Sequence, residues 1–286
     1  MIRQHRLHPW RNYWRLSAIL LTFLLVAGCV STSATQPPEQ PTVPQAVTQP
    51  GVTSNPMALV SLKKAQDLFN EAVQSDQPTI AVPAASLQKY QQVVDMVEKE
   101  VLGKVGKPQE VGAYALLAFS QWRQGHCAPA MDAGNKGREL YETEKLASNP
   151  RDYGMCLMVG GLCAASQTYK EYANLKGPPT KEMAQTLSAR LDQAMRAIDS
   201  GNTPMDRQSD IAIYTHLWQL ALVDAAVRIW TSGLPHEVWQ PEVCRWLGRA
   251  DPVLAKFPAT PYANENITLA YKKKFEEMSA SECQGR

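Results

Sequence analysis

PQEVGAYALLAFSQWRQGHCAPAMDAGNKGRELYETEKL, residues 108–146, is the stretch on which the fold turns. Val111, Tyr114, Ala115, Ala118, Phe119 and Trp122 recur every three to four residues, which places them on one face of a helix. Pro108 suits a first helical turn. Gly125 breaks the pattern, and a further helix fits from about Ala128 to Leu146. Two helices separated by so short a break fold back on each other, so the stretch predicts an antiparallel hairpin.

The same spacing continues on both sides. Leu59, Leu62, Ala65, Phe69, Ala72 and Val73 mark a helix that opens at Asn55 and Pro56. Leu87, Tyr90, Val93, Val94, Val97 and Val101 mark the next, stopped at Gly103. Further helices fit 151–174, 180–199, 206–231, 237–256 and 262–280, with Gly and Pro breakers between them. No strand series interrupts them. The expected fold is all-α, about nine helices in antiparallel hairpins over residues 57–286. Helix 206–231 is apolar on more than one face and is expected to be the most enclosed.

Composition agrees with a globular chain: 44% of residues are hydrophobic and 20% charged. The net charge of +2 comes from the amino terminus. Residues 1–28 hold Arg3, Arg6, Arg11 and Arg15 and no acid, so without them 29 less 4 basic residues face 27 acidic ones. That balance gives no support to a nucleic-acid partner. Residues 16–27 are an apolar core broken only by Ser17 and Thr22. As a helix it would rise only ~18 Å, short of the ~30 Å hydrocarbon layer, so it reads as a secretory signal and not a permanent span.

The segment ends Leu25-Val26-Ala27-Gly28-Cys29, which resembles the bacterial lipobox. The resemblance implies cleavage before Cys29 and an N-acyl diacylglycerol on that residue, which together anchor the chain to a membrane. Acyl chains on one residue hold well, since each buried methylene contributes ~0.8 kcal/mol. Val30 follows where an Asp would hold such proteins at the inner membrane, so the expected location is the outer membrane, facing the periplasm. Residues 30–56 carry six prolines, one acid and no base. They read as a disordered tether with a coil span of ~30 Å.

Two places resemble the tetratricopeptide repeat. Ala65, Phe69 and Ala72 match the small, bulky, small pattern of its second helix. Ala118, Gly125 and Ala130 match its first-helix small position, turn glycine and second-helix small position, but Gly134 and Gly137 then leave the bulky position empty. The resemblance implies a right-handed α-solenoid of divergent hairpins.

Five further cysteines remain: Cys127, Cys156, Cys163, Cys244 and Cys283. Export favours pairing. Cys156 and Cys163 lie seven residues apart on one helix, ~10.5 Å between Cα atoms, beyond the reach of a disulfide. The antiparallel hairpin favours Cys127–Cys163, with Cys127–Cys156 second, and Cys244–Cys283 would pin the carboxyl-terminal helix. Burial of all five as small core residues is the other reading. No chelating spacing points to a metal.

No nucleophile elbow, zinc-binding histidine pair or phosphate loop is present. His126 reads as solvated in its turn and His216 as a core residue. Tyr214, Trp218, Trp239 and Trp246, with Trp230, concentrate aromatics in 214–246. They read as core packing or, more sharply, as a groove for a peptide or apolar ligand, with Trp239 the exposed member. The expectation is a non-enzymatic, cofactor-free scaffold that binds another envelope protein or peptide segment in a pilus, secretion or outer-membrane machine. The alternatives are a small-ligand-binding lipoprotein associated with a transporter, and a peptidoglycan-acting enzyme with a raised carboxylate in a cleft.

Overall fold

The computed structural model describes residues 54–76, 82–146, 149–205, 210–255 and 266–283. The signal, Cys29 and the tether as far as residue 53 lie outside them. Among the described residues there are nine helices and no strand, so the fold is all-α. No described helix is long and apolar enough to cross a membrane.

The helices are α1 (Pro56–Ser75), α2 (Ala84–Met96), α3 (Lys107–Arg123), α4 (Cys127–Glu144), α5 (Pro150–Ala173), α6 (Lys181–Asn202), α7 (Asp210–Thr231), α8 (His236–Leu254) and α9 (Asn266–Glu282). A π-helical turn, Val97–Val101, prolongs α2. Their starts follow local chemistry. Asn55 accepts from the Met57 amide at 2.9 Å, Asn149 from the Arg151 amide at 3.0 Å and Thr180 from the Met183 amide at 3.2 Å. Each bond satisfies one amide that a helix start leaves orphaned. Pro56 and Pro150 open α1 and α5, where no donor is lost. Gly125 has φ +84°, a conformation that side chains resist, and turns α3 sharply into α4.

Packing follows the hairpins: α1 on α2, α3 on α4, α5 on α6 and α7 on α8, with α3 also lying along α5. In addition α1 touches α7, so the first hairpin meets the fourth. Ala65, Phe69 and Ala72 are buried on α1, the helix that opens its hairpin. Ala118 and Ala130 are buried on either side of the Gly125 turn. The bulky side chain missing from α4 comes from α5. A Cβ on Gly134 would lie 2.4 Å from Val159 Cγ1, and one on Gly137 would lie 2.5 Å from Cys156 Sγ. The two glycines let α5 approach that closely.

The interior has two aromatic centres. In the first, rings meet edge-on in a chain from Tyr90 to Phe69 at 6.0 Å, then Phe119 at 6.2 Å, Trp122 at 5.5 Å and Trp218 at 5.2 Å. Such pairs contribute ~0.5–1.5 kcal/mol each beyond their buried area. This chain ties α2, α1, α3 and α7 together. In the second, Trp230 of α7 and Trp246 of α8 both donate their indole N–H to Ser188 Oγ of α6, at 3.1 and 2.8 Å. Helix α7 is the most enclosed, as its composition predicts: every residue from Ile211 to Val227 is buried.

Three of the four aromatics proposed as a binding surface therefore belong to the interior. Tyr214, Trp218 and Trp246 are buried because α7 is covered on several sides and α8 lays Trp246 against Ser188. Trp239 alone is half-buried, edge-on to the His236 ring at 4.6 Å. His216 is buried and His126 exposed, as expected.

The Cys244–Cys283 disulfide is present, with Cα atoms 5.6 Å apart, and joins α8 to the end of α9. Gln240 Nε2 adds a 2.6 Å bond to the Glu282 carbonyl, and His236 pairs with the Glu282 carboxylate at 2.9 Å. Cys127, Cys156 and Cys163 are free thiols. The expected Cys127–Cys163 bridge is thus unformed here, although the two residues are neighbours: the Cys163 thiol lies 3.8 Å from the Cys127 carbonyl oxygen. The second choice, Cys127–Cys156, is not formed either, since Cys156 is buried against Gly137, on the third turn of α4.

Candidate functional site: a charged network and a recess at the α3–α4 turn

Asp76 follows the last residue of α1, and its side chain is fully buried. Its carboxylate accepts four hydrogen bonds. Arg123 donates from Nε at 2.6 Å and Nη2 at 2.8 Å, Tyr90 from its hydroxyl at 3.0 Å, and Tyr214 from its hydroxyl at 2.9 Å. The guanidinium also lies between two indoles, 5.0 Å from the Trp122 ring and 5.3 Å from the Trp218 ring. Buried charge is tolerated only when paired and fully hydrogen-bonded, and here two tyrosines and two ring faces complete the pair. Burial drives both tyrosine hydroxyls well above their ordinary value, so they act as donors. Burial pulls the Arg123 guanidinium down, but Tyr214, Asp76 and Tyr90 around it outweigh this and raise it.

Beside this network a recess of about 50 Å³ opens between α3, α5 and α7. It is lined by Trp122, Arg123 and Gly125 from α3 and its turn, by Ser166, Tyr169 and Lys170 of α5, and by Trp218 of α7. Trp122 donates its indole N–H to Ser166 Oγ at 3.0 Å, which fixes the wall between α3 and α5. At ~10–15 Å³ per water, the recess holds about three to five waters or the tip of one side chain. It is well below the ~300–1,000 Å³ of sites that enclose small ligands. Lys170 is exposed, and its ammonium reaches toward Gly125, since a Cβ there would be 3.7 Å from Nζ.

The turn that carries Gly125 also carries Cys127, the first residue of α4. A hydrogen bond from the Cys163 thiol lowers the Cys127 thiol to about 7 against the opposing effect of burial, and Lys170 adds to the lowering. Cys163 is pushed up by that same bond and by burial, and Cys156 by burial.

Two further carboxylates are enclosed. Asp224 of α7 pairs with Arg228 at 2.8 Å and with Lys274 of α9. Asp152, in the first turn of α5, is raised by burial against the lowering effect of Arg151, 3.6 Å away. A Cβ on Gly112 of α3 would lie 2.8 Å from Asp152 Oδ2, so that glycine makes room for the carboxylate. The enzymatic alternative asks for an isolated raised carboxylate in a cleft; Asp152 is raised but is paired with Arg151 and does not line the recess. Among the described residues no group of three or more His, Cys, Asp or Glu side chains is placed to hold a metal ion.

Of the residues proposed from sequence as site or disulfide residues, Trp218 alone lines the recess; Trp122 and Gly125, read there only as fold residues, line it too, and Cys127 lies two residues beyond Gly125. Asp76, Trp122, Arg123 and Lys170 escaped sequence reasoning as site residues. The one available signal was Arg123, a cation directly after the last aromatic of an apolar helix face.

No family model matches this chain, and neither a curated protein nor a solved structure matches it.

Proposed function

We propose that this chain is a membrane-anchored scaffold of the bacterial envelope, held by lipid on Cys29 and standing off the outer membrane on its proline-rich tether. Its helical domain is a divergent tetratricopeptide-like stack that binds a segment of another envelope protein. The recess beside Arg123 is the observation that carries this reading. Its walls suit one side chain of a partner segment better than an enclosed small molecule. Lys170 at the recess favours an acidic side chain there.

A photo-crosslinking residue placed at Lys170 in cells tests this directly. The expected result is one dominant envelope protein captured from Lys170 and not from Lys272, an exposed site on α9. Equal capture from both positions, or none from Lys170, sinks the reading. The anchor is tested separately: Cys29→Ser should move the protein from the membrane pellet to the soluble fraction, and unchanged pelleting refutes lipidation.

A further inference from the structure

Cys127 and Cys163 are neighbours, unbonded, and different from each other in access. Cys127 is half-buried at the first position of α4, where the helix start offers unpaired amides to a negative charge. Cys163 is buried on α5 with its thiol donating to the Cys127 carbonyl oxygen at 3.8 Å. Lys170, two turns further along α5, brings a positive charge to the same turn. A structural bridge such as Cys244–Cys283 needs none of this. The arrangement is instead that of an accessible attacking thiol backed by a buried partner. Cys156 serves as the internal contrast: it is buried against α4 and away from the turn.

We propose that Cys127 and Cys163 form a thiol–disulfide exchange site, in which Cys127 attacks an external disulfide and Cys163 resolves the product. The Cys127 thiolate attacks one sulfur of a disulfide R–S–S–R. A Cys127–S–S–R bond forms, the R–S–S–R bond breaks and one RS⁻ leaves. Cys163 then loses its proton to the departing thiolate and attacks the Cys127 sulfur, expelling the second RS group. In sum two protein thiols are oxidised by two electrons to the Cys127–Cys163 disulfide, and one external disulfide is reduced to two thiols. Cys127 is partly exposed, so an external disulfide can reach it.

The lowered Cys127 thiol sets the size of the effect. At pH 7 about half of it is thiolate, against roughly 3% for an ordinary thiol of pKa ~8.5. A lower pKa also weakens the nucleophile, with a Brønsted slope of ~0.4–0.5, so the net gain is about threefold at pH 7 and about sixfold at pH 6. The rate should level off above about pH 8, whereas an ordinary thiol continues to gain.

The test uses the full chain carrying Cys29→Ser, with Cys244–Cys283 intact, reacted with dithiodipyridine and followed by thiopyridone release and peptide mass mapping. The expected fast phase releases two thiopyridones per chain and leaves a Cys127–Cys163 disulfide with no adduct. Cys163→Ser should release one and retain the adduct on Cys127, with Cys163→Ala as a second variant should the first lose its helical circular dichroism. Cys127→Ser should abolish the fast phase and Cys156→Ala should leave it unchanged. A stable adduct on Cys127 in the unsubstituted thiol pair overturns the proposal. So does a Cys127 rate that matches an ordinary exposed thiol and still climbs past pH 8.5.

Discussion

Replacing Asp76 with Asn probes the centre of the molecule. The Asp76 side chain is fully buried and that of Arg123 is 4% exposed, so neither charge can turn to solvent once its partner is gone. Asp76→Asn keeps the shape and one acceptor for Tyr90 and Tyr214, but removes the carboxylate charge from beside the guanidinium enclosed between Trp122 and Trp218. Breaking one side of a buried pair costs about 3–5 kcal/mol, a third or more of a domain stability near the middle of the usual range. For a domain of this size that corresponds to a fall in Tm of roughly 6–20 °C. Arg123→Met should cost a similar amount by stranding the carboxylate. The double variant should recover at least half of either loss, because replacing a whole buried pair with neutral groups is often close to neutral. Urea unfolding followed by circular dichroism measures all three, with the slope checked for constancy. A loss below about 1 kcal/mol for Asp76→Asn would mean the pair behaves like a surface one. Single losses that simply add would mean that Asp76 and Arg123 do not act together, and either result refutes the argument.

Gly134→Ala should destabilise by about 1–3 kcal/mol in the same urea assay, since its Cβ would meet Val159 Cγ1 at 2.4 Å and the Cys156 carbonyl at 3.2 Å. Ser188→Ala removes the acceptor of two buried indoles and should cost about 2–4 kcal/mol, with an accompanying change in tryptophan fluorescence. Reducing Cys244–Cys283 releases a loop of 39 residues, worth about 4 kcal/mol of chain entropy; hydrogen exchange should quicken over 266–283 before it does in α3 or α5. Because burial raises Asp152, the folded state holds its proton more tightly than the unfolded chain does. Folding therefore loses stability as pH rises through the range above the ordinary carboxylate value. Asp152→Asn should then be the more stable protein at pH 7, and the gap should close as pH falls below that range; a constant gap from pH 7 to pH 4 would refute the assignment.

Periodicity made the helices legible because burial selects one face of each, and Gly125 marked a turn because few other residues take its φ. The enclosure of α7 was legible for the same reason, since Ile211, Leu217, Leu222, Val227 and Trp230 point several ways from one axis. The site was not legible. Asp76 is the first residue after a helix, where an acid ordinarily meets water, and nothing nearby in sequence says that Arg123 and Tyr214 will close over it. Trp218 and Trp246 looked like one aromatic patch, yet Trp218 lines the recess with Trp122 and Trp246 packs on Ser188. Sequence proximity placed them together, whereas contacts with different helices separate them: the Trp122 ring for Trp218 and the Ser188 hydroxyl for Trp246. The hairpin logic brought Cys127 and Cys163 to one place and left their bonding open.

Tyr214 reaches Asp76 across 138 positions of the chain, which bears on how the protein comes together. In an open array of repeats each hairpin is stabilised by its neighbours, so a terminal unit can be removed and the rest survives with a graded loss. Here the last donor to Asp76 arrives with the seventh helix, and until then the Arg123 pair lacks both that hydroxyl and the Trp218 face. Loop closure over such a separation is slow and gives nothing back until it is complete. Folding should therefore be cooperative across α1 to α7. A chain truncated after α6 should be a poor fragment and not a shorter version of the domain.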